Sequence, residues 1–402
     1  MSTVSGESLI TTQPQLLALV NHLRAMGRFS FDTEFVSEST FEPQLCLIQV
    51  ASSERLALVD PLAVRDLGPF WDVVCDATMD VVMHAAGEDL RICLLRTGKL
   101  PRRVFDVQMA AGLVGYSYPL SLVNLVGQIL GISIGGGETR TDWRRRPLSS
   151  GQVEYALDDV RHLLPIADDL IAQLGELGRT EWAEQEFEVY IQEIAQRADE
   201  DRWRRLPGLG QLNRRGLEAA RLLSEWREDE ARRQNRPLRQ VMRDDVLVAI
   251  AKRLPTNRRG LEALRDFNRP GLLSRADEIL DVLDSARTVP EDSLPEPPSR
   301  FEEPPGVSTI SGLLSGVLAQ CCARARIAGS LVANQSDIKN LIRWYIEGRP
   351  EHHQPLLLQG WRADLCGRTL LAVLEGRYAV RIADPGDEFP LALEPLDGTT
   401  SP

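Results

Sequence analysis

The sequence predicts an α/β domain followed by two all-helical units, and three features of the chain predict it. Short β-like runs come first and then alternate with amphipathic segments up to about residue 175. From 180 to about 286 the apolar positions recur only at helical spacing. Six prolines at 290, 295, 297, 298, 304 and 305, set among acidic residues, then separate this stretch from a further helical one. The resulting division is 1–178 for the α/β domain, 179–287 for an Arg-rich helical domain and 288–307 for an extended linker. A second helical domain over 308–383 and a loose acidic, proline-containing tail over 384–402 complete it. A chain of 402 residues exceeds one ordinary core, which agrees with several domains.

In order, Leu16, Leu17, Val20 and Leu23 mark a helix, and a strand over 28–35 follows Gly27. Runs at 45–50 and 55–59, separated by Ser52-Ser53-Glu54, read as strand, turn, strand, so the sheet begins antiparallel. A helix to about Cys75, a short strand at 81–84 and a helix opening at Gly87 come next. Val104-Phe105-Asp106 reads as a strand leading into a helix over 107–113, and another helix spans 121–130. Gly135-Gly136-Gly137 is a loop, since no Gly-Lys-Ser/Thr follows it and no strand precedes it. Ser149 or Ser150 caps a helix that runs past Tyr155 and Asp159.

Composition sets the outer bounds. With 43% hydrophobic and 26% charged residues the chain is of the soluble globular kind. No apolar run reaches the roughly 18 residues of a membrane span, and no secretory signal is visible at the N-terminus. The six cysteines lack paired Cys-x-x-Cys spacing, so they are expected to be reduced, in a cytoplasmic protein. The formal net charge of −12 speaks weakly against nucleic acid, but it hides an asymmetry. Residues 202–259 hold 16 Lys+Arg against 7 Asp+Glu, a local +9. Such a block is either a footprint for phosphates or an Arg-rich solvated surface.

The chemistry centres on Phe31-Asp32-Thr33-Glu34-Phe35. Residues two apart on a strand share a face, so Asp32 and Glu34 project side by side. Adjacent carboxylates repel unless a cation or proton offsets them. A divalent metal held by oxygen ligands is one reason to place them there, and a solvated strand end is the other. Asp89 follows near a helix start, and Tyr155 and Asp159 lie four apart on one helix face. Glu88 and Asp158, neighbours of motif acids, read as solvated or supporting, with Asp158 pointing about 100° from Asp159. His84 reads as a satisfied residue at a strand end, His352-His353 as a solvated loop pair and Trp143 as a core anchor.

An Asp-x-Glu strand, an Asp some 55 residues on and a Tyr-x-x-x-Asp helix resemble the metal-dependent 3′→5′ exonucleases with four acids and a tyrosine. Pro43-Gln44-Leu45-Cys46-Leu47-Ile48-Gln49, His84-Ala85-Ala86-Gly87-Glu88-Asp89-Leu90 and Phe105-Asp106-Val107-Gln108 resemble the ribonuclease D family more closely. So do Thr141-Asp142-Trp143, Arg146-Pro147-Leu148 and Tyr155-Ala156-Leu157-Asp158-Asp159-Val160, over about residues 8–175. Residues 206–287 look like the helical domain shared by RecQ-type helicases and ribonuclease D, and 308–382 like a weaker second copy. Gly135-Gly136-Gly137 departs from the family, which often has a lysine there, and so bears on one substrate contact.

The resemblance implies a ribonuclease H-like mixed sheet flanked by helices, and two Mg²⁺ or Mn²⁺ ions. Asp32 would bridge both ions, Glu34 and Asp159 would hold the first and Asp89 would act on the second. Tyr155, with an ordinary pKa near ~10, is a poor base and would orient the attacking water. The implied activity is removal of nucleoside 5′-monophosphates from RNA 3′ ends, with trimming of structured precursors, tRNA in particular. Arg144, Arg145, Arg204 and Arg205 are candidate RNA contacts, and the chain is expected to be monomeric. The alternatives are an RNA-binding scaffold with a relict nuclease domain and a DNA-directed exonuclease; the presence of all five motif residues counts against the first.

Overall fold

The computed structural model describes residues 8–135, 137, 141–199, 202–297, 303–351 and 354–396. Helix α1 (Gln13–Met26) buries Leu16, Leu19, Val20 and Leu23. It ends at Gly27, whose φ of 70° is the left-handed geometry that glycine adopts without a Cβ clash. That turn feeds β2 (Arg28–Val36), and β3 (Gln44–Ala51) and β4 (Leu56–Val59) follow as an antiparallel meander. β1 (Ser8–Ile10), β5 (Asp80–Met83) and β6 (Val104–Asp106) complete a six-stranded mixed sheet in the order β1-β4-β3-β2-β5-β6. β1 pairs parallel with β4 and was not legible as a strand, since three residues carry no period.

The sheet's two faces take different helices. Phe29, Phe31, Ile48 and Val50 pack with α1, α2 (Gly68–Val74) and α3 (Gly87–Thr97). Cys46, Leu47 and Ala51 pack with α4 (Val107–Val114), α5 (Leu122–Leu130), α6 (Ser150–Arg161) and α7 (Leu163–Glu176). Asp32 and Glu34 alternate with Phe31 and so face the α6 side, at the end of β2 where the ladder with β3 slips by a bulge at Glu34/Phe35.

Helix α8 (Thr180–Asp199) leads to the first helical unit, built on α9 (Arg214–Gln234) with helices Asp244–Arg253 and Ala276–Thr288. Its core of Leu217, Leu223, Leu247, Ile250, Phe267 and Leu283 is its own. The unit returns to the nuclease at the β2–β3 loop. There Phe41 N–H donates to Asn235 Oδ1 (3.2 Å) and Arg232 lies over the Phe41 ring (5.2 Å). The second unit, with helices Val307–Ala325 and Gln335–Ile346, shares its core with the nuclease: among the described residues its buried side chains are continuous with those of α4 to α7.

Two expectations need correction. The stretch read as an extended linker begins by docking: Leu294 is buried, and Arg215 pairs with Glu291 (2.6 Å) and Arg214 with Glu296 (3.0 Å). The tail read as loose contains β8 (Leu391–Pro395), antiparallel to β7 (Tyr378–Ile382). Gln320 fixes that strand by bonding both the N–H and the C=O of Leu391 (2.6 and 2.7 Å). Gly136, Pro298, His352, His353 and residues 397–402 lie outside the described residues.

Candidate active site

Strand β2 supplies Asp32 and Glu34, the first turn of α3 supplies Asp89, and α6 supplies Tyr155 and Asp159. Carboxylate oxygens of Asp32, Glu34 and Asp159 lie within 4.8 Å of one another. Asp89 is outside that trio and reaches the end of β2 from the opposite face, where its Oδ1 accepts a hydrogen bond from the Thr33 hydroxyl. The Tyr155 hydroxyl donates to Asp159. Among the described residues none of the four acids forms an ion pair with Lys or Arg.

Four uncompensated carboxylates resist ionisation together. Burial, then the charges of Asp89, Asp159 and Glu34, hold Asp32 well above the usual carboxylate range. Burial, then Asp159 and Asp89, push Glu34 up to about 8. Burial lifts Asp89 to about 7 against the Thr33 hydrogen bond. Burial and Asp158 lift Asp159 to about 7 against the one from Tyr155. A donor set of hard oxygens that lacks positive charge fits divalent cations. One more observation agrees: Gln49, fully buried and in register opposite Asp32, has no partner for either polar atom of its amide.

Three long-range pairings position these groups. Ser149 caps α6 in a capping box with Gln152, and the Ser30 hydroxyl ties the end of that helix to β2 through the Val160 carbonyl (3.1 Å). The guanidinium of Arg146 grips Asp60 with two bonds (2.6 and 2.8 Å) and reaches the Cys46 carbonyl (2.7 Å), fixing the segment that enters α6. Asp60, despite its burial, is held below the carboxylate range by that grip. Asp106 accepts from the N–H groups of Ala85, Ala86, Gln108 and Met109, so one carboxylate caps α4 and holds the turn that opens α3. Gly87 beside this turn leaves room for Tyr190: a Cβ there would lie 2.6 Å from the Tyr190 hydroxyl oxygen and would push that side chain aside. Asp106, Asp60 and Gln49 received no role from the sequence. Asp106, Arg146 and Gln49 lie inside motifs, but their partners are 20 to 100 residues away or, for Gln49, missing.

The other sequence readings divide. His84 bonds the Leu120 carbonyl (2.9 Å), and Trp143 is buried with its ring 6.1 Å from that of Tyr155, as expected of a satisfied histidine and a core anchor. Glu88 is exposed and paired with Arg91 (3.0 Å). Asp158 is not solvated: it is 8% exposed and paired with Arg161 (2.7 Å). Arg144 is held by Asp142 (2.8 Å), whereas Arg145 is exposed, 3.7 Å from the same carboxylate. Arg204 stacks over Trp203 (4.6 Å), and Arg205 donates to the Arg197 carbonyl. In the basic block most arginines pair internally, among them Arg221, Arg227, Arg233 and Arg243. Arg236, Lys252, Arg253 and Arg259 are exposed and in no ion pair among the described residues.

Residues 8–175 match the 3′-5′ exonuclease family, 216–283 the HRDC domain and 310–370 the ribonuclease D C-terminal HRDC domain. Ribonuclease D of Escherichia coli (strain K12) is 31% identical over 91% of this chain and 98% of its own length. That of Gluconacetobacter diazotrophicus is 36% identical over 93% of this chain and 94% of its own. The crystal structure of E. coli RNase D, described as an exoribonuclease involved in structured RNA processing, superposes with a TM-score of 0.80 at 30% identity. It covers 92% of this chain and 99% of that one. The catalytic core of RRP6 from Trypanosoma brucei shares the fold at TM-score 0.55 and 23% identity, over 72% or less of this chain. The exonuclease match followed by the two HRDC matches accounts for most of the chain, and the E. coli structure covers the same span. The chain belongs to the ribonuclease D family and is a 3′→5′ exoribonuclease, a hydrolase whose substrate is RNA.

Proposed function

We propose that Asp32, Glu34, Asp89 and Asp159 hold two divalent cations, magnesium or manganese, and that Tyr155 orients water against the 3′-terminal phosphodiester. The observation that carries this reading is the meeting of three carboxylates within 4.8 Å without a basic partner. When bound, cations in such sites lower the pKa of water and offset charge on the phosphate. The chain's own residues do the remainder. Asp32, whose carboxylate feels the charges of Asp89, Asp159 and Glu34 together, would be the ligand shared by both cations. Tyr155, its proton committed to Asp159, keeps its oxygen lone pairs for a hydrogen of the attacking water. Trp143 packs against the Tyr155 ring and limits its rotation.

The substrates are structured RNA precursors with single-stranded 3′ ends, tRNA precursors among them, and the products are nucleoside 5′-monophosphates. Exposed Arg145, with Arg236, Lys252, Arg253 and Arg259 on the first helical unit, supplies phosphate contacts. Arg144, Arg204 and Arg205 contribute less, since each is already engaged within the chain. The enzyme acts as a cytoplasmic monomer with domains over 1–178, 179–287 and 308–383. Among the described residues no helix is long and apolar enough to cross a membrane.

The test uses 5′-labelled RNA with a single-stranded 3′ tail, incubated with Mg²⁺ or Mn²⁺, with matched DNA alongside. The expected result is a ladder shortening from the 3′ end, lost with EDTA and in Asp32→Ala while RNA binding survives. An Asp32→Ala variant that keeps more than a few per cent of the activity overturns the assignment.

A further inference from the structure

Two thiols outside the acidic site form a pair the nuclease chemistry does not use. Cys75 ends α2, Cys93 lies in α3 one turn after Asp89, and their sulfurs are 3.5 Å apart. All six cysteines of the chain are free. Cys93 is fully buried. Cys75 is half-buried and opens onto a cleft of about 600 Å³ whose wall includes Arg65, Arg96, Thr97 and Lys99. The Thr97 hydroxyl stands 4.0 Å from the Cys75 sulfur and is itself fixed on the Cys93 and Lys99 carbonyls (2.8 and 3.0 Å).

The two thiols are unequal. The hydrogen bond from Cys93, aided by Thr97 and Lys99, brings Cys75 down to about 7. The same bond, with burial, drives Cys93 far up. Two apolar-packed cysteines would both be raised. An accessible thiolate beside cations, with a protonated thiol behind it in contact, is the arrangement of an attacking and a resolving cysteine.

We propose that Cys75 and Cys93 are a site of reversible oxidation by small hydroperoxides, and that their disulfide slows the nuclease through α3. The Cys75 thiolate attacks the terminal peroxide oxygen. The O–O bond breaks, water or an alcohol leaves, and Cys75 becomes a sulfenic acid. The Cys93 sulfur then attacks the Cys75 sulfur, the S–S bond forms, the S–O bond breaks and water departs with the Cys93 proton. The sum is two thiols and one hydroperoxide giving one disulfide, one water and one water or alcohol. A disulfide requires about 2.05 Å between sulfurs, so the pair must close by roughly 1.5 Å from its 3.5 Å separation. Part of that movement falls on α3, and Asp89 is in the first turn of that helix. The effect on cleavage rests on the role proposed for Asp89; the formation of the cross-link does not.

The experiment treats the full-length protein with hydrogen peroxide and reads three quantities. Free thiols are expected to fall from six to four, and peptide mass spectrometry to find the Cys75–Cys93 cross-link. Cleavage of single-stranded RNA is expected to slow by roughly tenfold, since an ångström of misplacement near the chemistry can cost up to about 10²-fold. Dithiothreitol restores it. Cys75→Ser keeps its activity under peroxide, and Cys93→Ser accumulates a dimedone-reactive sulfenic acid at Cys75. Failure to find the cross-link, or a Cys93→Ser variant oxidised no faster at Cys75 than at Cys46, overturns the proposal. A cross-link that leaves cleavage unchanged overturns its coupling to Asp89 and leaves the exonuclease assignment, tested by Asp32→Ala, untouched.

Discussion

The two helical units have the same kind of fold and opposite relations to the nuclease. The first follows the nuclease directly in the chain, yet it keeps a separate core and meets the nuclease only lightly at the β2–β3 loop. The second is separated from it by more than a hundred residues, yet the two are packed as one core. The connecting helix α8 joins that shared core: Arg179 before it donates to the carbonyls of Leu113, Ala325 and Arg326, Trp182 stacks on Trp361 at 4.9 Å, and buried Glu186 is gripped by Arg362 (2.5 and 2.7 Å) and Trp361 (2.9 Å). Proximity in sequence is thus no guide to mechanical dependence: the distant unit completes the enzyme's body, and the adjacent one is an appendage.

The sharpest way to break the comparison is truncation. Ending the chain after residue 297 uncovers Gly112, Tyr118, Trp182 and their neighbours, and should lower the nuclease's melting temperature by roughly 10 °C or more, read by calorimetry. Next in size, Glu186→Ala leaves the buried Arg362 guanidinium with the Leu331 and Val332 carbonyls but no counter-charge, and should cost about 3–5 kcal/mol of the whole enzyme's stability in denaturant titration. Arg227→Ala removes the bonds to Asp244 and the Met242 carbonyl in the first unit, leaves Asp244 with Arg239 at 3.7 Å, and should cost about 1–3 kcal/mol locally, while short single strands should still be cleaved at the parental rate.

A smaller effect separates the two by pH. Glu34, Asp89 and Asp159 are raised in the fold to about 8, 7 and 7, above ordinary values of 4.5, 3.8 and 3.8. Their contribution to the metal-free nuclease is therefore fully present below pH ~4 and is lost as pH rises towards ~8. In the first unit Asp245 is held low by Arg243, and Glu230, against its burial, by Arg233 and Gln234. Their contributions are present above the ordinary values and disappear as pH falls below them. Calorimetry of metal-free protein should show the nuclease transition moving down in temperature from pH 6 to 8.5. Adding Mn²⁺ should restore it more at the higher pH. The smallest expected effect is electrostatic: Arg253→Ala with Arg259→Ala should weaken folded-RNA binding a few-fold and reduce the salt slope by about 2, without slowing cleavage of short oligonucleotides.

The five groups of the candidate site stood out through their resemblance to the ribonuclease D motifs; spacing by itself placed only Asp32 beside Glu34 on a strand and Tyr155 beside Asp159 on a helix. The order of strands and helices was legible in the same local spacing, through periods of two and 3.6. What could not be read was long-range. Nothing near Glu186 announces Arg362, 176 residues later, and nothing near Arg146 announces Asp60, 86 residues earlier. Local charge could not choose between its two readings either: acids beyond the +9 block over 202–259, Glu262, Asp266, Glu291 and Glu296, pair with four of its arginines, and nothing in the block itself announces them.

Asp106 carries a consequence beyond the geometry it fixes. Its carboxylate joins the start of α4 to the Ala85-Ala86 turn, three residues before Asp89, and the far turn of α4 accepts the Ala328 N–H of the second helical unit at Gly112 (2.9 Å). A strut of hydrogen bonds and one short helix therefore runs from the docked unit to a residue of the acidic site. Any tilt of that unit stretches a bond along the strut or turns Asp89, so the alignment of the acids is set partly by how firmly a domain some 240 residues away is seated.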